Sequence, residues 1–418
     1  MTGGRRLLDR GGREWLVFAA ATCVLVLHVL DDSFVHREPG IGVLHHLVPA
    51  LVVLAVAAAG VVAYPFARPG IRCGLALVFG ALGLVGGLIH VGHIRAESLS
   101  GSDLTGLLAL AAALVLLGLG VAVPYLHRGE RGGRWRTRVV AVVLGALVVY
   151  VLVMPVGVAL WVTHRYREPV TDTLRAPHEK VTLSTRDGLR LAAWYVAPKN
   201  GVVILVSHGG GGDRSGAAQH ADMLAHHGYG VLLWDARGRG ESEGQPDALG
   251  WTWGDDVEAA LDFLDTKKDV SGIGALGLST GADVVIEAAA RDKRIEAVVA
   301  DGSTIRSVGD VLELPGHGKW TDVPYWAATY GATSVLLTAR AGPRLADLVG
   351  RIAPRPLLLI STGRAEERDA NRVYFAAAGE PKELWELPDA AHTGGLHKEH
   401  NEYEQRVVGF FARLIEQP

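Results

Sequence analysis

Five residues, Gly277-Leu278-Ser279-Thr280-Gly281, make a G-x-S-x-G pentapeptide at the end of an apolar run, 273–278. A strand passes into a helix in this way, through a sharp turn that holds a serine hydroxyl at its tip. The flanking glycines have a steric reason, because so tight a turn leaves no room for side chains beside the serine. A serine hydroxyl is a nucleophile at neutral pH only with a base beside it. His392, in Asp389-Ala390-Ala391-His392-Thr393-Gly394-Gly395, follows the last apolar run among residues small enough to let an imidazole approach. A third group must hold the imidazole's tautomer. Glu366 follows the preceding apolar run, and Glu367, Asp369 and Asp301 are its rivals. Acyl chemistry also needs a pair of donors for an oxyanion. His208-Gly209-Gly210-Gly211-Gly212 follows a further apolar run, so the amide of Gly210, or of Gly209, joins that of Thr280 as the expected pair. The glycine run lacks the Gly-Lys-Ser/Thr ending of a phosphate-binding loop.

The elements that would position these residues are legible as periodic runs. Residues 180–184 and 189–196 alternate around Asp187-Gly188, a hairpin signal. Apolar runs at 202–207, 231–235, 273–279, 296–301, 356–361 and 383–388 then alternate with helical patterns near 215–227, 253–266, 280–291, 366–378 and 398–416. That alternation predicts a mostly parallel sheet covered on both faces. Ligands of such sheets sit at the carboxyl ends of the strands, and every residue singled out above follows a strand run. Residues 303–350, with Trp320, Tyr325, Trp326 and Tyr330, form an insertion between two of these runs. His220, His226, His227, His397 and His400 read as surface histidines on helices, and Asp235 and Arg237 as organisers of a loop.

Residues 178 to 416 resemble an α/β-hydrolase. The H-G-G-G loop, the segment Asp235-Ala236-Arg237-Gly238-Arg239-Gly240-Glu241-Ser242, G-L-S-T-G and A-H-T-G-G occur in that family's order. The D-x-R-G-x-G-x-S segment is typical of the branch that holds serine esterases, lipases and serine aminopeptidase-like hydrolases. The resemblance implies Ser279, Glu366 and His392 as a triad, in the family's order of serine, acid, histidine, and a cap at about 303–350. Many relatives have Asp where Glu366 stands, and some move the acid to the position of Asp301.

The first part of the chain has another character. Five apolar stretches, about 15–30, 43–64, 71–92, 104–126 and 139–162, approach or reach the length of about 20 residues that spans a bilayer. The expected organisation is therefore a five-span all-α transmembrane domain at 1–162, a linker at 163–178 and an α/β domain at 179–418. The first stretch is read as a retained span, because no small-residue cleavage site follows it. Arginines cluster before the first span, as Arg5, Arg6, Arg10 and Arg13. They recur after the second, as Arg68 and Arg72, and after the fourth, as Arg128, Arg131, Arg134, Arg136 and Arg138. The positive-inside rule then puts the N-terminus in the cytoplasm and, with an odd number of spans, the α/β domain outside. Arg165 and Arg167 run against that bias. His28, His45, His46, His90 and His93, with Asp31 and Asp32, fall near the same ends of the first three spans. They read either as ligands for a metal or haem or as hydrated groups at headgroup depth.

These residues predict a membrane-anchored serine hydrolase that cleaves carboxylic esters through an acyl-enzyme. Its substrate is a small ester or lipid-like molecule, and its chemistry calls for no metal or organic cofactor. Two alternatives stand beside it. One is a serine aminopeptidase-like peptide hydrolase, with Glu241, Glu243 and Asp247 available to recognise an amine. The other is a non-catalytic membrane sensor with a relic hydrolase domain. A net charge of −3 gives no reason to expect nucleic acid. The cysteines, Cys23 and Cys73, both lie in apolar stretches, so the second half holds no disulfide. Oligomeric state is not legible.

Overall fold

The computed structural model describes residues 3–37, 39–96, 101–127, 143, 145–165, 167, 169–171, 173–316 and 319–415. The arginines from Arg128 to Arg138 lie outside the described residues, as do the side chains of Arg5, Arg6, Arg10, His93 and Arg95. The chain divides into two compact units: Met1–Arg37, Ile41–Tyr166 and Ala327–Thr338 in the first, Glu38–Gly40, Arg167–Trp326 and Ala339–Pro418 in the second.

The first unit carries five helices long and apolar enough to cross a membrane: Gly12–Val35, Val43–Phe66, Pro69–Gly92, Gly101–Leu126 and Gly145–Thr163. We call the α-helices of this unit α1 (Gly3–Leu30), α2 (Val43–Ala63), α3 (Pro69–Ala96), α4 (Gly101–Leu126) and α5 (Met154–Thr163). Many of their leucines and valines, Leu27, Leu44, Leu108 and Val121 among them, are exposed. Small residues and a few aromatics fill the interior instead, with Phe18 stacked on Tyr64 at 4.3 Å between ring centroids. This is the inverse of a water-soluble bundle and what a lipid environment demands, since there close backbone approach replaces the hydrophobic effect as the packing force. Some of the ionisable groups inside are paired. Buried Glu14 accepts from Arg72 at 3.5 Å and lies 2.8 Å from His127 Nε2.

The second unit is built on an eight-stranded sheet in the order β1-β2-β4-β3-β5-β6-β7-β8. The strands are β1 (Glu179–Ser184), β2 (Arg190–Val196), β3 (Val202–Ser207), β4 (Gly230–Trp234), β5 (Gly272–Leu278), β6 (Ala297–Asp301), β7 (Leu357–Thr362) and β8 (Lys382–Leu387). β1 and β2 form the antiparallel hairpin expected around Asp187-Gly188, and every pairing from β4 to β8 is parallel. β3, β4, β5, β6 and β7 are buried along their whole length, which is why they read as unbroken apolar runs. The register sets Ser207 opposite Gly277, Leu278 opposite Asp301 and Thr362 opposite Leu387. The carboxyl ends of β3, β5, β6, β7 and β8 therefore finish along one edge of the sheet.

Two features depart from expectation. Described residues of the stretch read as a linker, Arg167 and Leu174 to Ala176, are docked. Arg167 donates to the carbonyls of Ser242 and Gly244, the amides of Arg175 and Ala176 donate to Asp222, and Leu174 is buried in the core beside Trp194. His220, expected on the surface of helix Ala218–His226, is buried, its ring 5.5 Å from that of Tyr403. Burial holds its pKa down at about 4, so it is a neutral core residue at physiological pH.

Candidate active site

Ser279 stands at φ 55°, ψ −122°, between β5 and helix Thr280–Arg291. A residue with a Cβ rarely adopts this conformation, and the surroundings hold it there. A Cβ on Gly277 would lie 2.2 Å from the carbonyl oxygen of Gly281, and one on Gly281 would lie 2.3 Å from that of Ser207. Only glycine fits at either side of the serine. The Ser279 amide donates to Asp301 at 2.8 Å, tying the elbow to β6.

His392 follows β8, and its Nε2 lies 2.8 Å from Ser279 Oγ. Room for the ring comes from Gly302, where φ is +78° and a Cβ would sit 3.1 Å from His392 Cε1. His392 Nδ1 lies 2.6 Å from Oε2 of Glu367. The acid beside the imidazole is thus Glu367 and not Glu366, the residue that the sequence reading placed first. Helix Ala365–Ala377 explains the difference. Its buried face is Glu367, Ala370, Asn371 and Tyr374, at the spacing of one helical stripe. Glu366 is turned about 100° away from that stripe and is half-buried. Asp369 lies beside Arg368, and Asp301 accepts from Tyr403 Oη at 2.8 Å.

The electrostatics fit an ionised Glu367 beside an Asp301 that holds its proton more readily than an ordinary carboxyl. Burial pushes the Glu367 carboxyl up, but hydrogen bonds from His392 and from the amide and hydroxyl of Thr362 outweigh it. The net pKa lies below the usual carboxylate range. Burial drives Asp301 up to about 7, with repulsion from Glu367 adding to it. An ionised Glu367 accepts the Nδ1 proton of His392. The Nε2 lone pair then faces the serine hydroxyl, the orientation a general base requires.

The glycine run after β3 borders the serine. A Cβ on Gly209 would lie 3.4 Å from Ser279 Cβ, and one on Gly210 would collide with the Ala248 carbonyl at 2.1 Å and with Thr280 Oγ1 at 2.7 Å. Thr280 Oγ1 donates to that same Ala248 carbonyl. Two supports of this loop went unread in the sequence. His208, buried and held near a pKa of about 4 by its burial, donates from Nδ1 to Gly209 O and accepts from the Ala236 amide at Nε2. Arg239 donates to Gly210 O. The D-x-R-G-x-G-x-S segment buttresses this edge: Arg214 is paired with Asp235, and Arg237 with Asp256 and Asp187. The signal for His208 was its place directly after a strand and before bare glycines, where a loop needs a side chain to anchor it.

A hydroxyl, an imidazole and a carboxylate in hydrogen-bonded series, at a helix N-terminus and beside a glycine loop, can carry out nucleophilic acyl chemistry. Residues 198–324 match the family Hydrolase_4, serine aminopeptidase S33. An uncharacterised protein of Mycobacterium tuberculosis is 37% identical over 221 residues, covering 51% of this chain and 71% of that protein. The chain belongs to the serine aminopeptidase S33 family of α/β-hydrolases. Two further relatives also carry the description uncharacterised. A Pseudomonas aeruginosa protein is 26% identical over 314 residues, 60% of this chain and 85% of its own length. An Escherichia coli protein is 27% identical over 254 residues, 57% of this chain and 81% of its own. Among solved structures, an esterase of Pyrococcus furiosus covers 60% of this chain and 99% of its own, with a TM-score of 0.49 and 21% identity.

Proposed function

We propose that this S33-family hydrolase is a membrane-anchored serine hydrolase of carboxylic esters, working through Ser279, His392 and Glu367. The observation that carries the reading is the unbroken series Ser279 Oγ, His392 Nε2, His392 Nδ1, Glu367 Oε2, at 2.8 and 2.6 Å. Ser279 attacks the ester carbonyl while His392 Nε2 takes its proton. The amides of Thr280 and of Gly210 or Gly209 receive the oxyanion, and the positive end of helix Thr280–Arg291 favours the same charge. His392 then protonates the departing alkoxide. Water, deprotonated by the same imidazole, releases the acid. The aromatic insertion around Trp320, Tyr325 and Trp326 favours a substrate with an apolar acyl or alcohol part.

The carboxylates that the peptide-hydrolysis reading would use to recognise an amine are engaged within the chain. Glu243 is paired with Arg190, Glu241 with Arg214, and Asp247 accepts from the amides of Leu249 and Thr252. Each of the three carboxylates thus already has a partner within the chain, which supports the ester reading over the peptide one.

Labelling with a fluorophosphonate, read by intact mass on the detergent-purified full chain, tests the nucleophile. Wild type takes up one adduct and Ser279→Ala takes up none. Hydrolysis of p-nitrophenyl esters of graded chain length then tests the ester class. An adduct retained by Ser279→Ala, or a labelled enzyme that cleaves aminoacyl amides and no ester, overturns the reading.

A further inference from the structure

We propose that His28, Asp32 and His90 form a binding site for one divalent first-row transition ion, with zinc the best fit, at one end of the helical unit. This inference is independent of the reading of Ser279. His28 lies in the last turn of α1, Asp32 in the π-helical turn Asp31–Val35 that follows it, and His90 near the end of α3. Their ligand atoms all lie within 4.8 Å of one another. His90 Nε2 is 3.2 Å from Asp32 Oδ2, and His28 Nε2 is 3.6 Å from the same oxygen. Tetrahedral bonds of about 2.0–2.1 Å to zinc separate neighbouring ligand atoms by about 3.3 Å. The two contacts bracket that separation.

The partners of the far ring nitrogens make the case. His90 Nδ1 lies 3.1 Å from the carboxylate of buried Asp103. His28 Nδ1 lies 3.3 Å from Thr105 Oγ1, which gives its own proton to Asp31 at 2.7 Å. Both Nδ1 positions thus meet acceptors, and the proposed site has each ring carry its proton there. In that tautomer two Nε2 lone pairs turn toward one carboxylate oxygen, an arrangement that a divalent ion joins, the alternative link being a proton on His90 Nε2 shared with Asp32. A carboxylate on the remote nitrogen of a ligating histidine is the usual outer support of a zinc site. The other oxygen of Asp32, Oδ1, is buried without a hydrogen-bond partner among the described residues. So is Nε2 of His46 on α2, and His164, just past α5, lies within electrostatic range of Asp32, His46 and His28.

Packing shows the same construction. A Cβ on Gly106 of α4 would lie 2.3 Å from Cγ of His90, so glycine is what admits the ring between α3 and α4. Carboxylates at membrane depth are costly, and Asp31, Asp32 and Asp103 gather around this point; a doubly charged ion offsets that charge. Two imidazoles and one carboxylate suit zinc and its neighbours and not magnesium or calcium, which take oxygen. Three protein ligands leave a fourth position, for water or a further imidazole.

The test uses the full chain in detergent, stripped with chelator and titrated with Co²⁺, which reports its geometry by visible absorption. Wild type binds one equivalent with tetrahedral bands, and Zn²⁺ displaces it. His28→Gln and His90→Gln lose the tight site. Asp103→Asn keeps the stoichiometry but binds about 10–100-fold more weakly. His397→Gln, at an exposed histidine, matches wild type. Wild-type protein that binds no stoichiometric Co²⁺ overturns the proposal and leaves His90 as an imidazolium clamped between Asp32 and Asp103. Undiminished binding in folded His28→Gln and His90→Gln overturns it as well. If those variants do not fold, the wild-type titration and Asp103→Asn decide.

Discussion

Glu366 and Glu367 differ by one position and by everything their side chains meet. Glu367 is fully buried, with one oxygen on Thr362 and the other on His392, and Glu366 carries neither contact. Glu367→Gln keeps the shape but replaces an acceptor with an amide that can donate to Nδ1, so it favours the wrong imidazole tautomer. Fluorophosphonate labelling and ester turnover should fall about 10³–10⁴-fold, while Glu366→Gln stays near wild type. The reverse ranking would return the acid to Glu366. Conversely, the three side chains His28, Asp32 and His90 are a residue-scale arrangement that two helices and a π-turn bring together from distant parts of the chain.

Elements act by fixing angles that residues alone do not. β5 and the helix after it force Ser279 into a positive φ, and the two flanking glycines are the steric condition for that turn. Helix Ala218–His226 shows an element carrying a titratable group inward. His220 has Nδ1 and Nε2 without partners among the described residues and a pKa held down to about 4 by burial. The unfolded imidazole titrates at about 6.5. Between those values the unfolded chain binds the extra proton, so this group costs stability increasingly as pH falls from about 6.5 toward about 4. His220→Leu removes that cost. Its gain in melting temperature over wild type should be larger at about pH 5 than at about pH 7.5. An equal gain at both would mean that the imidazole is solvated in the folded protein.

At the scale of the whole molecule, five helices able to cross a bilayer precede one hydrolase sheet. We infer from the arginine distribution that the N-terminus is cytoplasmic and the sheet lies outside the cell membrane. Alkaline phosphatase fused after Pro418 should then be active and a cytoplasmic reporter at the same site inactive. The opposite pattern would place the hydrolase in the cytoplasm and with it a different pool of esters. Arg167, which weighs against the outside assignment by count, has a structural role instead, since it holds the start of the hydrolase unit to the loop carbonyls of Ser242 and Gly244.

Periodicity and local sterics are properties of the chain itself. The unbroken apolar runs at 202–207 and 273–278 foretold buried parallel strands, the stretches of about 20 apolar residues foretold helices long and apolar enough to span a bilayer, and two glycines around Ser279 foretold a sharp turn. The stripe Glu367, Ala370, Asn371, Tyr374 was also present in the sequence, but adjacent acids compete until a helix has a neighbour to define its inner face. Which of them meets His392, whether His220 is wet or dry, that Arg167, Leu174, Arg175 and Ala176 pack within the sheet unit, and that His28, Asp32 and His90 share one point were decided by tertiary structure. The reason is that convergence of residues far apart in sequence depends on strand order, register and helix rotation, and no local pattern carries these.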